Sequence, residues 1–130
     1  MKDINIGMKS YAEVMVNKDN IASTIGSGSL EVFATPMMAA LMEKSALNAI
    51  DHSMENDETT VGTMLNITHS SPTPIGMTVK ASAEVIQING REITFKVIAE
   101  DEKGIIGEGI HKRVVVSEKK FINKTNLKKN

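Results

Sequence analysis

Three side chains have the type and the setting to do chemistry. Glu43 is a carboxylate among Leu41, Met42, Ala46 and Leu47, in a helical stretch otherwise suited to burial, where a charge needs a partner. It either works in a site or marks, with Lys44 beside it, the solvent-facing edge of that helix. His69 lies on the more apolar face of a strand, in step with Val61, Thr63, Leu65 and Ile67. An imidazole there is either a hydrogen-bonded core group or a general base, since histidine titrates near neutral pH. Thr35 precedes Pro36 and suits a helix N-cap, its hydroxyl accepting from an exposed backbone N–H while the proline takes the first helical position. The same helix start, with unpaired N–H groups and a partial positive charge, suits a developing oxyanion. Thr35 and Glu43 are eight residues apart, roughly 12 Å along one helix axis. They cannot touch within one helix, so either a substrate bridges them or the helix of a second subunit brings its own residue across.

Other chemistries find less support. The chain has no cysteine, so thiolate nucleophiles, disulfides and the usual structural zinc sites are excluded. The histidines are His52, His69 and His111; no two have helical ligand spacing, and no metal is expected. Gly26-Ser27-Gly28 and the run from Gly104 to Gly109 match neither the P-loop nor the dinucleotide fingerprint. The second reads as a hairpin entering a strand whose Gly107 and Gly109 let a helix or ligand approach the backbone. His111 shares their face, and His52 sits at the helix C-terminus, where the dipole favours a cation.

The elements that must position these groups follow from periodicity. Ser10 to Asn17 alternates as a strand, and Lys18 to Ser29 is a small-residue loop. The helix from Pro36 to about His52 is apolar round most of its circumference and belongs inside, wrapped by something. Thr60 to Ser70, Met77 to Ile88, Arg91 to Glu100 and Ile105 to Ser117 alternate as strands, with Asn89-Gly90 as a hairpin turn. Strand, long helix, then four hairpin-joined strands make an α+β layer in which the sheet curls over the helix. Its edges and the apolar helix ask for a second copy, so a homodimer is expected.

At 130 residues, with 41% apolar and 24% charged residues, the chain is one globular domain without separate cofactor and substrate halves. No apolar run approaches the ~18 residues of a membrane span, and the N-terminus lacks the apolar core of a secretory signal. A cytoplasmic protein with no membrane partner is expected. All acidic residues lie at or before Glu118 and five lysines follow it, so residues 118–130 form a basic tail, read as a solvated, frayed terminus. The few aromatics, Tyr11, Phe33, Phe95 and Phe121, do not suit a nucleic-acid surface.

Taken together, Glu31-Val32-Phe33-Ala34-Thr35 opens the helix that carries Leu41-Met42-Glu43, Val61-Gly62-Thr63 leads to Thr68-His69, and Gly107-Glu108-Gly109 leads through His111 to Arg113. From about residue 5 to 124 this set resembles the fluoroacetyl-CoA thioesterase family of hot-dog-fold proteins. The resemblance implies a five-stranded antiparallel sheet wrapped around one long central helix, in a dimer with coenzyme A entering at the subunit interface. It implies catalytic roles for Thr35, Glu43 and His69, a backbone donor near the thioester at Gly62, and an arginine near the site at Arg113; the volume of the acyl pocket depends on Phe33, Met37, Met38 and Met42 and on the loop from Lys18 to Leu30. The family's fluorine-discriminating enzyme closes its pocket with lid phenylalanines, and this sequence has Gly26 and Ser29 at those places. Thioester hydrolysis is therefore implied, and fluoroacetyl selectivity is not.

The expected activity is hydrolysis of a short-chain acyl-CoA thioester, with no cofactor beyond the coenzyme A carried by the substrate. His69 serves as general base. Glu43 orients it or attacks as a nucleophile, and Thr35 donates a hydrogen bond to the acyl group or attacks as its alkoxide. Backbone N–H groups at Gly62 or the helix start bind the oxyanion. Two alternatives stay open: a non-catalytic acyl-CoA binding module, and a hot-dog enoyl-CoA hydratase, whose Asp/His pair has no counterpart here.

Overall fold

Strict alternation of apolar residues builds the sheet. Val79, Ala81, Ala83 and Val85 share one face of a strand, and Ile93, Phe95, Val97 and Ala99 share one face of the next; all are buried. Each of the larger of these side chains contributes about 1.5–3 kcal/mol on leaving water. In the computed structural model, which describes residues 1–130, the chain runs β1 (Lys9–Met15), α1 (Ala22–Ile25), α2 (Thr35–Ile50), β2 (Glu58–His69), β3 (Thr78–Asn89), β4 (Glu92–Asp101), β5 (Gly104–Ser117) and α3 (Glu118–Asn126). The strands form one antiparallel sheet in the order β1-β3-β4-β5-β2. The hairpin between β3 and β4 turns on Gly90 and Arg91, one residue later than expected. Asn89 pairs with Glu92, and Gly90 at φ 63° takes the first central position that a type II′ turn gives to glycine.

Helix α2 lies in the concave face of the sheet, burying Met38, Met42, Ser45, Ala46, Ala49 and Ile50. Its opposite side, with Pro36, Ala40, Lys44 and Asn48, is exposed. One chain therefore wraps the helix on one side only, although its apolar circumference suggested full enclosure. The approach is close because the sheet beneath is floored by small residues. A Cβ on Gly107 would lie 2.8 Å from the Met38 sulfur and 2.5 Å from the Thr68 carbonyl oxygen, so a side chain at that position is replaced by the helix.

Strand β2 is irregular where the sequence looked regular. Gly62 pairs with Arg113 and Met64 with Lys112, leaving Thr63 as a bulged residue with no partner. The bulge reverses the alternation. Leu65, Ile67 and His69 face the helix as expected, opposite His111, Gly109 and Gly107. On the other side of the bulge Thr60 and Gly62 face inward, not Val61 and Thr63.

The C-terminal segment is a helix and not a frayed tail. Ser117 caps α3 by accepting from the Lys120 N–H at 3.4 Å and donates to the Asp57 carboxylate at 2.7 Å. The Asp57 carbonyl accepts from the Glu118 N–H at 2.8 Å. No residue of α3 is buried, so its solvated character holds.

Gly107→Ala places a methyl group against both Met38 and the backbone of β2. It is expected to cost about 2–3 kcal/mol, read as a clear drop in thermal midpoint. An unchanged midpoint would show that the helix is not held at this distance.

Candidate active site

The first helical residue of α2 is Thr35, after Ala34 in extended conformation, and no side chain caps the helix. The helix thus begins one residue earlier than a Thr35 cap requires, which frees the hydroxyl. It meets His69 Nδ1 at 2.7 Å, at the far end of β2. The Thr35 backbone N–H finds no acceptor in the chain. His69 Nε2 is buried and has no hydrogen-bond partner. Burial pushes the His69 pKa below its ordinary 6.5, partly opposed by the Ser71 backbone, so near neutral pH the ring has one proton and one lone pair. When Thr35 donates to Nδ1, Nε2 holds the proton. When Nδ1 donates to Thr35, Nε2 is a base.

A cleft of about 250 Å³ opens on this pair. Phe33, Val32 and Pro72 line it with Ser70 and Ser71, and the segment around α1 contributes only Ala22 and Ser27. Phe33 is in place because its N–H donates to the Thr73 carbonyl at 2.9 Å. Gly26 and Ser29 are exposed and do not line the cleft.

Two turns along α2, Glu43 occupies a second cluster. Its Oε2 lies 4.0 Å from Arg113 Nη1, and a Cβ on Gly62 would stand 2.9 Å from the same oxygen and 3.2 Å from the His111 ring. Gly62 is needed here for space, because the helix carboxylate comes down onto β2. Arg113 is buried; its Nε donates to Thr60 Oγ1 at 2.9 Å and its Nη2 to the Thr60 carbonyl at 3.0 Å. Burial is the main cause that lowers the Arg113 pKa, and Glu43 opposes it.

Within one chain, then, Thr35, His69 and Phe33 come together, and Glu43 joins Gly62 and Arg113. Glu43 neither bonds to His69 nor lines its cleft. Sequence reasoning passed over Thr60 and gave His111 little weight. The available signal was two polar residues, His111 and Arg113, in step on the inward face of β5.

A curved five-stranded antiparallel sheet cradling one long helix is the hot-dog fold. Residues 16–119 match the family described as fluoroacetyl-CoA-specific thioesterase, and the chain belongs to this family of acyl-CoA thioester hydrolases. It is 39% identical over 98 residues to the fluoroacetyl-CoA thioesterase of Streptantibioticus cattleyicolor, covering 75% of this chain and 70% of the relative. The crystal structure of the fluoroacetyl-CoA thioesterase FlK superposes with a TM-score of 0.91 at 30% identity, over 98% of both chains. A FlK variant solved with fluoroacetate and coenzyme A matches at 0.86 and 31% identity, over 91% of this chain and 99% of that one. A Thermus thermophilus member of the thioesterase superfamily shares the fold, with a TM-score of 0.91 at 24% identity and coverage of 99% and 96%.

His69 and His111 both have pKa values lowered chiefly by burial. As pH falls, the unfolded chain binds protons first, at the ordinary histidine value of 6.5. The stability these rings contribute is complete above that value and is lost as pH falls through their folded values. The thermal midpoint should therefore decline between about pH 7 and 5, and His111→Gln should flatten part of the decline. An equal slope in that variant would remove His111 as a cause.

Proposed function

We propose that the protein hydrolyses short-chain acyl-CoA thioesters at sites built between two copies of the chain. The observation that carries this reading is the 2.7 Å contact of Thr35 with His69, beside a cleft and with Nε2 unpartnered. In this mechanism the thioester carbonyl lies near the start of α2, where the free Thr35 N–H receives the developing oxyanion. Neutral His69 removes a proton from the attacking water and returns it to the departing coenzyme A sulfur. Glu43 acts on the water or on the imidazole from across the cleft.

That last role calls for a second subunit, and β2 supports one. β2 is paired only to β5, and from Thr59 to Thr68 it contains neither a charge nor a proline. An edge so undefended is a template for another strand. Edge strand β1, by contrast, carries Lys9 and Glu13. Antiparallel pairing of two β2 edges carries the His69 end of one strand towards the Gly62 end of the other, and with it the partner's Glu43. The small residues Ala22 and Ser27 on the loop side of the cleft support a simple short acyl group as substrate, with no selection for fluorine.

Thiol release from acetyl- through long-chain acyl-CoA and fluoroacetyl-CoA tests the reading. Short-chain turnover should fall by about 10²–10⁴-fold in His69→Ala, with comparable rates for acetyl- and fluoroacetyl-CoA in the wild type. The acid limb of kcat should have its midpoint below 6.5, following the lowered His69 pKa. No turnover with saturable coenzyme A binding would make the protein a binding module.

Subunit mixing tests the composite site separately. His69→Ala and Glu43→Gln chains, each inactive alone, should on mixing recover about a quarter of wild-type turnover, because half of the dimers contain one intact site. No recovery would place the three groups in one chain.

A further inference from the structure

A buried guanidinium must have its N–H groups answered, and the way Arg113 is answered assigns a role to His111. Thr60 holds two of its nitrogens, Nε and Nη2. The third, Nη1, faces Glu43 and is held within hydrogen-bond distance by one group only, His111 Nε2 at 3.2 Å. Arginine is a donor and never an acceptor, so Nε2 must present its lone pair. The ring's single proton then sits on Nδ1, which donates to the Met64 carbonyl at 2.8 Å. Met64 is the first residue beyond the bulged Thr63, so the irregularity in β2 places that acceptor. Phe95 stacks on the ring at 6.1 Å between centroids, and His111 is 1% exposed.

We propose that His111 is a positioning residue: a neutral imidazole, locked with its proton on Nδ1, whose Nε2 lone pair holds Arg113 against Glu43 and so fixes the carboxylate in the thioesterase site. The proposal rests on the reading that Glu43 belongs to that site. The charged groups facing the ring are Arg113 from its own strand and Glu43 from α2. Burial is the main cause that keeps the ring neutral; Arg113 acts in the same direction, and the Met64 carbonyl and, behind it, Glu43 act against it. Loss of the acceptor would leave the guanidinium anchored through Thr60 while freeing the nitrogen that faces Glu43.

Two substitutions of similar length separate this role from packing. His111→Gln keeps an acceptor oxygen within reach of Nη1, and His111→Met has none. On the acyl-CoA turned over fastest by the wild type, His111→Met should lower kcat about tenfold at unchanged KM, and His111→Gln should restore most of it. Equal loss in both, or loss in neither, would overturn the proposal. Nitrogen-15 spectroscopy of the wild-type imidazoles decides the lock without any variant. The expected spectrum at neutral pH shows His111 uncharged with its proton on Nδ1; a proton on Nε2, or on both nitrogens, would overturn it. That spectrum does not depend on catalysis, so a fully active Glu43→Gln would sink the role of Glu43 while leaving the lock to be judged separately.

Discussion

How closely helix α2 lies against the sheet sets what every other part of the molecule does. Alanines at 81, 83 and 99 and glycine at 107 floor the concave face, so the thioether of Met38 rests where side chains of the sheet would otherwise stand. At that separation a helix residue of ordinary length reaches the inner surface of β2 and β5. Glu43 does so over Gly62, and Thr35 does so at His69. Neither Gly62 nor Gly107 has a left-handed backbone; both are glycine because something from another element occupies the volume of a Cβ. The placing of the Glu43 carboxylate and the packing of the core are in this sense one constraint.

Periodicity was enough to place every long element within a residue or two, since period two and period 3.6 are direct consequences of which face is buried. What it missed shares one cause: groups distant in sequence decide local geometry. The bulge at Thr63 leaves no mark in the alternation of β2, because Val61 and Thr63 look as inward-facing as Leu65. The local rule made Thr35 a cap, and a histidine 34 residues away takes its hydroxyl instead. The tail became a helix through Asp57, which receives Ser117 from 60 residues along the chain. Of the candidate site, Thr35 and His69 were legible as residue types that the fold joins, while the surroundings of Glu43 were not legible as a geometry. The neighbours of Glu43 come from β5 and from the bulged end of β2, and the register of those strands cannot be read from either one alone.

The separation of the two clusters and the bareness of β2 answer each other. An edge strand with no charge from Thr59 to Thr68 is a liability for a solitary chain, and within one chain the Glu43 carboxylate stands apart from the His69 imidazole. The proposed pairing of two such edges would answer both at once. The exposed side of α2 adds to this, since a helix with apolar residues on most of its circumference is wrapped by its own sheet on one side only.

His69 and His111 show why titration is a poor guide to role in this fold. Both rings are neutral near pH 7 for the same leading reason, burial, and neither behaviour distinguishes a base from a strut. Counting partners does. Each nitrogen of His111 is engaged, one by the Met64 carbonyl and one by Arg113, so any proton it took up would break a bond and set a second positive charge beside the first. His69 has one nitrogen engaged by a hydroxyl that can either give or accept a proton, and the other engaged by nothing. A ring able to exchange its tautomer at no cost in hydrogen bonds can carry a proton from water to a leaving group, and a ring whose tautomer is dictated from both ends can only hold its neighbours in place.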